Sequence, residues 1–190
     1  MAFPEISALS LAAAGFYLCV VLAALGAALA GIRREAPLRE WRIWVLVAGA
    51  FVALAAMRAI AAEDHLRGIL RSVLELADAR AARRVIQLPL SLAAIALACL
   101  TAIPVVHRIA RRGWTSPFAA GDWAALALIG MVGLIGLRVI SLHAVDGILF
   151  SALIGPLRIN WLLDLGCAGI SLAAALHYIR SGQARASNGR

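Results

Sequence analysis

Six side chains could do chemistry in places where polar groups are rare: Arg58, His65, Arg138, His143, Asp146 and Asp164. Each stands in or beside a long apolar stretch, where an ionisable group is costly and calls for a partner or a purpose. Two arginines suit an anionic group, which a guanidinium grips through two parallel hydrogen bonds. His65 and His143, with Asp64 and Asp146, are of the types that ligate metals. Their spacing follows no metal motif, and no metal is assigned to them.

Two readings of the cluster follow. In the first, Arg58 and Arg138 pair with Asp164 and Asp146 and lock helix register, two charges against two. In the second, the six residues line an outward-facing pocket for a ligand, a lipid headgroup or an ion.

The elements that would position these groups are transmembrane helices. Of the 190 residues 63% are apolar, and mean hydropathy is +0.91. Soluble domains hold 45–50% apolar residues. The fold class is therefore all-α integral membrane, with about five spans: 6–32, 43–62, 85–106, 123–144 and 157–179. Ala28-Leu29-Ala30 before Gly31 imitates a signal-peptidase site. The acidic leader MAFPE and the length of the run argue instead for a retained helix.

All 18 basic residues are arginine; ten gather at 33–42, at 108–112 and in the tail RSGQARASNGR, while the 63–84 segment on the other side holds five arginines against four acids. Such clustering beside apolar runs marks the cytoplasmic side. It places the N-terminus outside, the C-terminus inside and the protein in a cell inner membrane of bacterial type. The net charge of +8 is explained by this topology, so no nucleic-acid partner is assigned. Trp41 and Trp44 read as an interfacial anchor for the second span. The tail 181–190 lacks apolar residues and reads as disordered.

Between the second and third spans, Leu66, Ile69, Leu70, Val73 and Leu74 recur at amphipathic-helix spacing. The second span should therefore continue beyond the membrane or bend onto its outer surface. The fourth apolar stretch, from Trp123 to Gly155, is longer than the ~20 residues a crossing needs, so it should overshoot too. MRAIAAEDHLRGIL (57–70) resembles LRVISLHAVDGIL (137–149) with one gap. This suggests two helical-hairpin repeats, spans 2–3 and 4–5, added to an N-terminal helix.

Depth along each helix follows from a rise of ~1.5 Å per residue. Arg58 lies ~24 Å beyond Arg42, and Arg138 ~22 Å beyond Trp123. Asp164 is ~9 Å below the outer edge of a ~30 Å core. The three charges fall at one level in the outer leaflet, with His65, His143 and Asp146 just above. On the last span Asn160, Asp164, Cys167 and Ser171 share one face, which should turn toward protein. Pro89 is expected in the first turn of the third span, and Pro104 near its end as a kink. Gly130, Gly133, Gly136 and the Gly49/Ala53 pair read as sites of close helix approach. Cys19, Cys99 and Cys167 lie singly in apolar runs and read as small packing residues.

Histidines stand at both ends of the bundle: His65 and His143 at the outer ends of spans 2 and 4, His107 and His177 at the inner ends of spans 3 and 5. This arrangement resembles that of cytochrome b561-type proteins, in which paired histidines on alternate helices hold two b-type haems. The resemblance implies His65/His143 and His107/His177 as axial pairs and transmembrane electron transfer as the activity. Apart from it no cofactor is implied. No nucleotide-binding glycine loop, HExxH or GxSxG occurs. The leading expectation is a non-enzymatic ligand-binding, sensing or accessory component. Its partners are the bilayer, an anionic ligand or lipid headgroup, and a homo-oligomer or larger membrane complex.

Overall fold

The computed structural model describes residues 8–60, 68–69, 82–114, 116, 119–140, 152–154 and 157–188. Five long helices dominate: α1 (Ala8–Arg33), α2 (Leu38–Ala59), α3 (Ala82–Arg112), α4 (Ala120–Ile140) and α5 (Ile159–Asn188). A short antiparallel pair, β1 (Ala152–Ile154) and β2 (Leu157–Arg158), leads into α5. All five helices contain a stretch long and apolar enough to cross a membrane, from Leu11–Arg33 to Trp161–Ser181. The chain is a multi-pass membrane protein.

Four helices form a ring. α1 packs on α2 and α5, and α4 packs on α5 and α2, so α2 and α5 face each other along one diagonal. α3 stands outside the ring and packs on α4. Among the described residues the main buried cluster draws on α1, α2, α4 and α5, with Tyr17, Trp44, Phe51, Met131 and Tyr178 as its bulk, while α3 buries Val105 and Ile109 apart from it. Among the described residues α3 packs on α4 and makes little contact with α2, its partner in the expected hairpin of spans 2 and 3. α3 is tied to α4 by close approach at Gly133, where an added Cβ would stand 3.5 Å from the Ala98 Cβ, and by ion pairs described below. The repeat segments 61–67 and 141–149 lie outside the described residues.

Both faces of α1 are apolar, and they differ in size rather than polarity. Its buried face carries Ala13, Ala14, Tyr17, Val20, Val21, Ala24, Ala27 and Ala28. Leu18, Leu22, Leu25 and Leu29 are exposed on the other. In lipid no hydrophobic drive separates the two faces. Small residues gather where backbones approach, because the gain comes from van der Waals packing. The same logic leaves Leu97, Leu100 and Ile103 of α3 exposed to the bilayer. Thr101, also exposed there, turns its hydroxyl back to the Leu97 and Ala98 carbonyls and so satisfies itself without water.

The helix ends differ from the sequence reading in several places. α2 stops at Ala59, with the Ile60 N–H closing on the Ala56 carbonyl. The amphipathic segment after it lies outside the described residues apart from 68–69 and the start of α3. α4 ends at Ile140, and its expected overshoot is also outside them. α3 begins at Ala82, which puts Pro89 inside the helix rather than in its first turn, together with Pro104. α5 continues to Asn188, through most of the segment whose composition reads as a tail.

The α1–α2 turn is a Schellman closure. The Ala36 N–H bonds the Gly31 carbonyl at 3.0 Å, and the Glu35 N–H bonds that of Ile32 at 3.0 Å. Glu35 occupies the left-handed position, φ 53°, where glycine is the usual residue.

Candidate functional site

At one end of the diagonal, Arg58 of α2 pairs with Asp164 of α5. Both are largely withdrawn from solvent, with side-chain exposures of 14% and 3%. The Arg58 guanidinium also lies over the Trp161 ring, 5.4 Å from its centroid. Arginine suits this double engagement because its planar cation can stack on a ring while its edge meets a carboxylate. Asp164 is presented by α5 on a face shared with Cys167, Ala168 and Ser171. The Ser171 hydroxyl donates to the Cys167 carbonyl. Arg138 is three residues from the end of α4, counting Ile140 as the last, so its backbone stands at the same end of the ring. His65, His143 and Asp146 lie outside the described residues.

The opposite end, rich in arginine, carries a second polar network that the sequence reading did not single out. Tyr178 of α5 is its hub. Its hydroxyl donates to Glu40 Oε2 at 3.2 Å, its ring meets Trp44 at 5.4 Å, and the Arg34 guanidinium lies 5.7 Å above it. Arg34 also donates to the Tyr178 and Ile179 carbonyls, at 3.3 and 2.9 Å. Trp44 is therefore a core residue and not an interfacial anchor: its ring turns inward, across the diagonal, to reach Tyr178.

Beside this hub, Asp122 in the first turn of α4 is buried and receives two arginines of α3. Arg108 Nε donates at 2.9 Å and Arg112 Nη1 at 3.0 Å. One signal could have revealed Asp122: an acid beginning an apolar span, next to a loop that holds only arginines as charges. The glycine expectations divide. Gly130 and Gly133 are close-approach sites, with a Cβ on Gly130 reaching 3.4 Å from Cys167 Sγ. Gly49 and Gly136 face no neighbour within 4 Å among the described residues.

An open cleft of about 420 Å³ lies between the α3–α4 loop, α4 and α5 at the arginine-rich end. Trp114, Trp123 and His177 are among its walls. Searches of protein-family models, of curated proteins and of solved structures return no match to the chain.

The cleft bears on the haem resemblance. His177 lines it, whereas His107, exposed on α3, is not among the described residues that do. His65 and His143 are outside the described residues. The described geometry offers one histidine in a cleft rather than two facing ligands, and no redox step is built on it. Among the described residues no group of three His, Cys, Asp or Glu side chains is placed to hold a metal ion.

Proposed function

We propose that this chain is a bacterial-type inner-membrane binding, sensing or accessory component, N-terminus outside and C-terminus in the cytoplasm. Its responsive site is the outward end of the α2–α5 diagonal. The observation that carries this reading is the Arg58–Asp164 pair, sheltered beside Trp161. An anionic ligand or lipid headgroup approaching that end competes with the Asp164 carboxylate for the Arg58 guanidinium, and Arg138 on the neighbouring helix adds attraction for the same charge. Because the pair bridges opposite helices of the ring, exchanging one anion for the other changes how α2 and α5 are held. That is a two-state element a ligand can bias. His65, His143 and Asp146 are assigned to the rim of this site.

Reversing the pair tests the proposal. Arg58→Asp with Asp164→Arg preserves attraction between the two helices while moving the cation. A merely structural pair tolerates this exchange. A binding site does not, since the anion-holding group has left α2. The expected result is a folded double variant that fails to complement deletion of the gene; full complementation would overturn the binding reading.

A further inference from the structure

We infer that the cleft at the arginine-rich end, remote from the Arg58–Asp164 pair, is a binding site for one anionic phospholipid. An acyl chain lies along α5 and the headgroup sits at His177 and Arg180. On the face of α5 that floors the cleft, Ile170, Ala173, Ala174 and His177 stand at i, i+3, i+4 and i+7, on one side of the helix. Two alanines in the middle leave a groove where longer side chains would close it. Toward the helix end the same face changes from apolar to polar at His177, and exposed Arg180 follows one turn on.

The opposite wall is aromatic. Trp114 and Trp123 meet with ring centroids 5.6 Å apart, and Trp123 Nε1 donates to the Trp114 carbonyl at 3.1 Å, which holds Trp114 beside the groove. Tryptophan favours the depth where chain meets headgroup. His177 is four residues from the end of the apolar stretch Trp161–Ser181, or ~6 Å along the helix, which is that depth. The volume falls within the ~300–1,000 Å³ of small-molecule sites.

Charge decides the class of lipid. This end of the bundle carries eight arginines against Glu35, Glu40 and an Asp122 carboxylate engaged by Arg108 and Arg112, and Arg180 is the arginine one turn beyond His177 on α5. A zwitterionic headgroup gains little there; an anionic one gains attraction on the order of a fivefold preference for each nearby arginine.

The test uses the full chain in vesicles and reads quenching of tryptophan fluorescence by acyl-brominated lipid. Brominated phosphatidylglycerol should quench more strongly than brominated phosphatidylcholine at equal mole fraction, with relative binding about fivefold in its favour. Arg180→Gln should remove that preference and leave the phosphatidylcholine level unchanged. Ala173→Leu, at an exposed groove position, should reduce quenching by both lipids. Equal quenching by the two lipids in the unmodified protein would overturn the inference, as would an undiminished preference in Arg180→Gln or unchanged quenching in Ala173→Leu. Loss of the preference on adding inorganic phosphate would also overturn it, since the site would then hold free anions rather than lipid.

Discussion

Arg58 and Asp164, 106 residues apart in the chain, meet across the diagonal of the four-helix ring. Neither of their helices packs chiefly on the other: α1 and α4 stand between α2 and α5 on the two sides. The pair therefore spans the ring as a strut does, and Trp44–Tyr178 does the same at the opposite end with two aromatic rings. One end is joined by a direct ion pair, the other by two rings in contact, with Glu40 and Arg34 gathered around the Tyr178 hydroxyl and ring.

The topology predicts where the tail lies. Arginines at 33–42 and 108–112 flank the same ends of the helices as the end of α5. A reporter fused after Arg185 should be active only when it is one that works in the cytoplasm. Activity of a periplasm-dependent reporter there would reverse the orientation.

Removing the Asp122 carboxylate should loosen α3 selectively. With Asp122→Ala, Arg108 and Arg112 lose their common carboxylate while the main core cluster, which among the described residues contains no α3 residue, is untouched. Hydrogen exchange should accelerate around 105–112 and stay slow in α1 and α2. Equal acceleration in all the helices would show that α3 belongs to the same cooperative unit.

Glu35→Gly should stabilise the protein. The left-handed conformation at this position costs a residue with a Cβ about 1 kcal/mol, and glycine escapes the cost. The side-chain carboxylate leaves with the substitution, so a melting temperature lower than that of the unmodified chain would show that Glu35 makes a contact worth more than the strain.

The spectrum of the purified protein separates the two functional classes. A binding or accessory component should show no Soret band and no reduced-minus-oxidised α-band. A stoichiometric Soret band would favour the di-haem resemblance carried by His65, His143, His107 and His177.

Much of the fold was legible because crossing a bilayer constrains length and hydropathy so tightly. Counting rise along each helix set Arg58 and Asp164 at one level, and these two side chains meet. What counting could not supply was rotation and adjacency. The same counting gave Arg138 a similar level to Arg58, and the order of helices around the ring is what brings Arg58 to Asp164. Trp44 at the head of a span has the appearance of an anchor, yet a rotation of the helix turns it into the core. Glu40, Asp122 and Tyr178 were passed over because charged and phenolic groups near the end of a span look solvated. Their burial depends on helices that sequence spacing does not relate. α1 offered no polar stripe to orient it, because its two faces differ only in side-chain size.

The measurement that bears most directly on the Arg58–Asp164 strut is a double-mutant cycle in unfolding stability. Arg58→Leu and Asp164→Leu each leave an uncompensated charge in a largely desolvated place. By analogy with buried pairs in water-soluble proteins each should cost roughly 3–5 kcal/mol. Polar contacts in membranes average nearer ~0.6 kcal/mol, so the sign of the coupling matters more than its size. Each single variant should melt below the unmodified protein, and the double variant should be more stable than the sum of the two losses allows. Strictly additive losses would mean that the two side chains do not meet, and would contradict the strut.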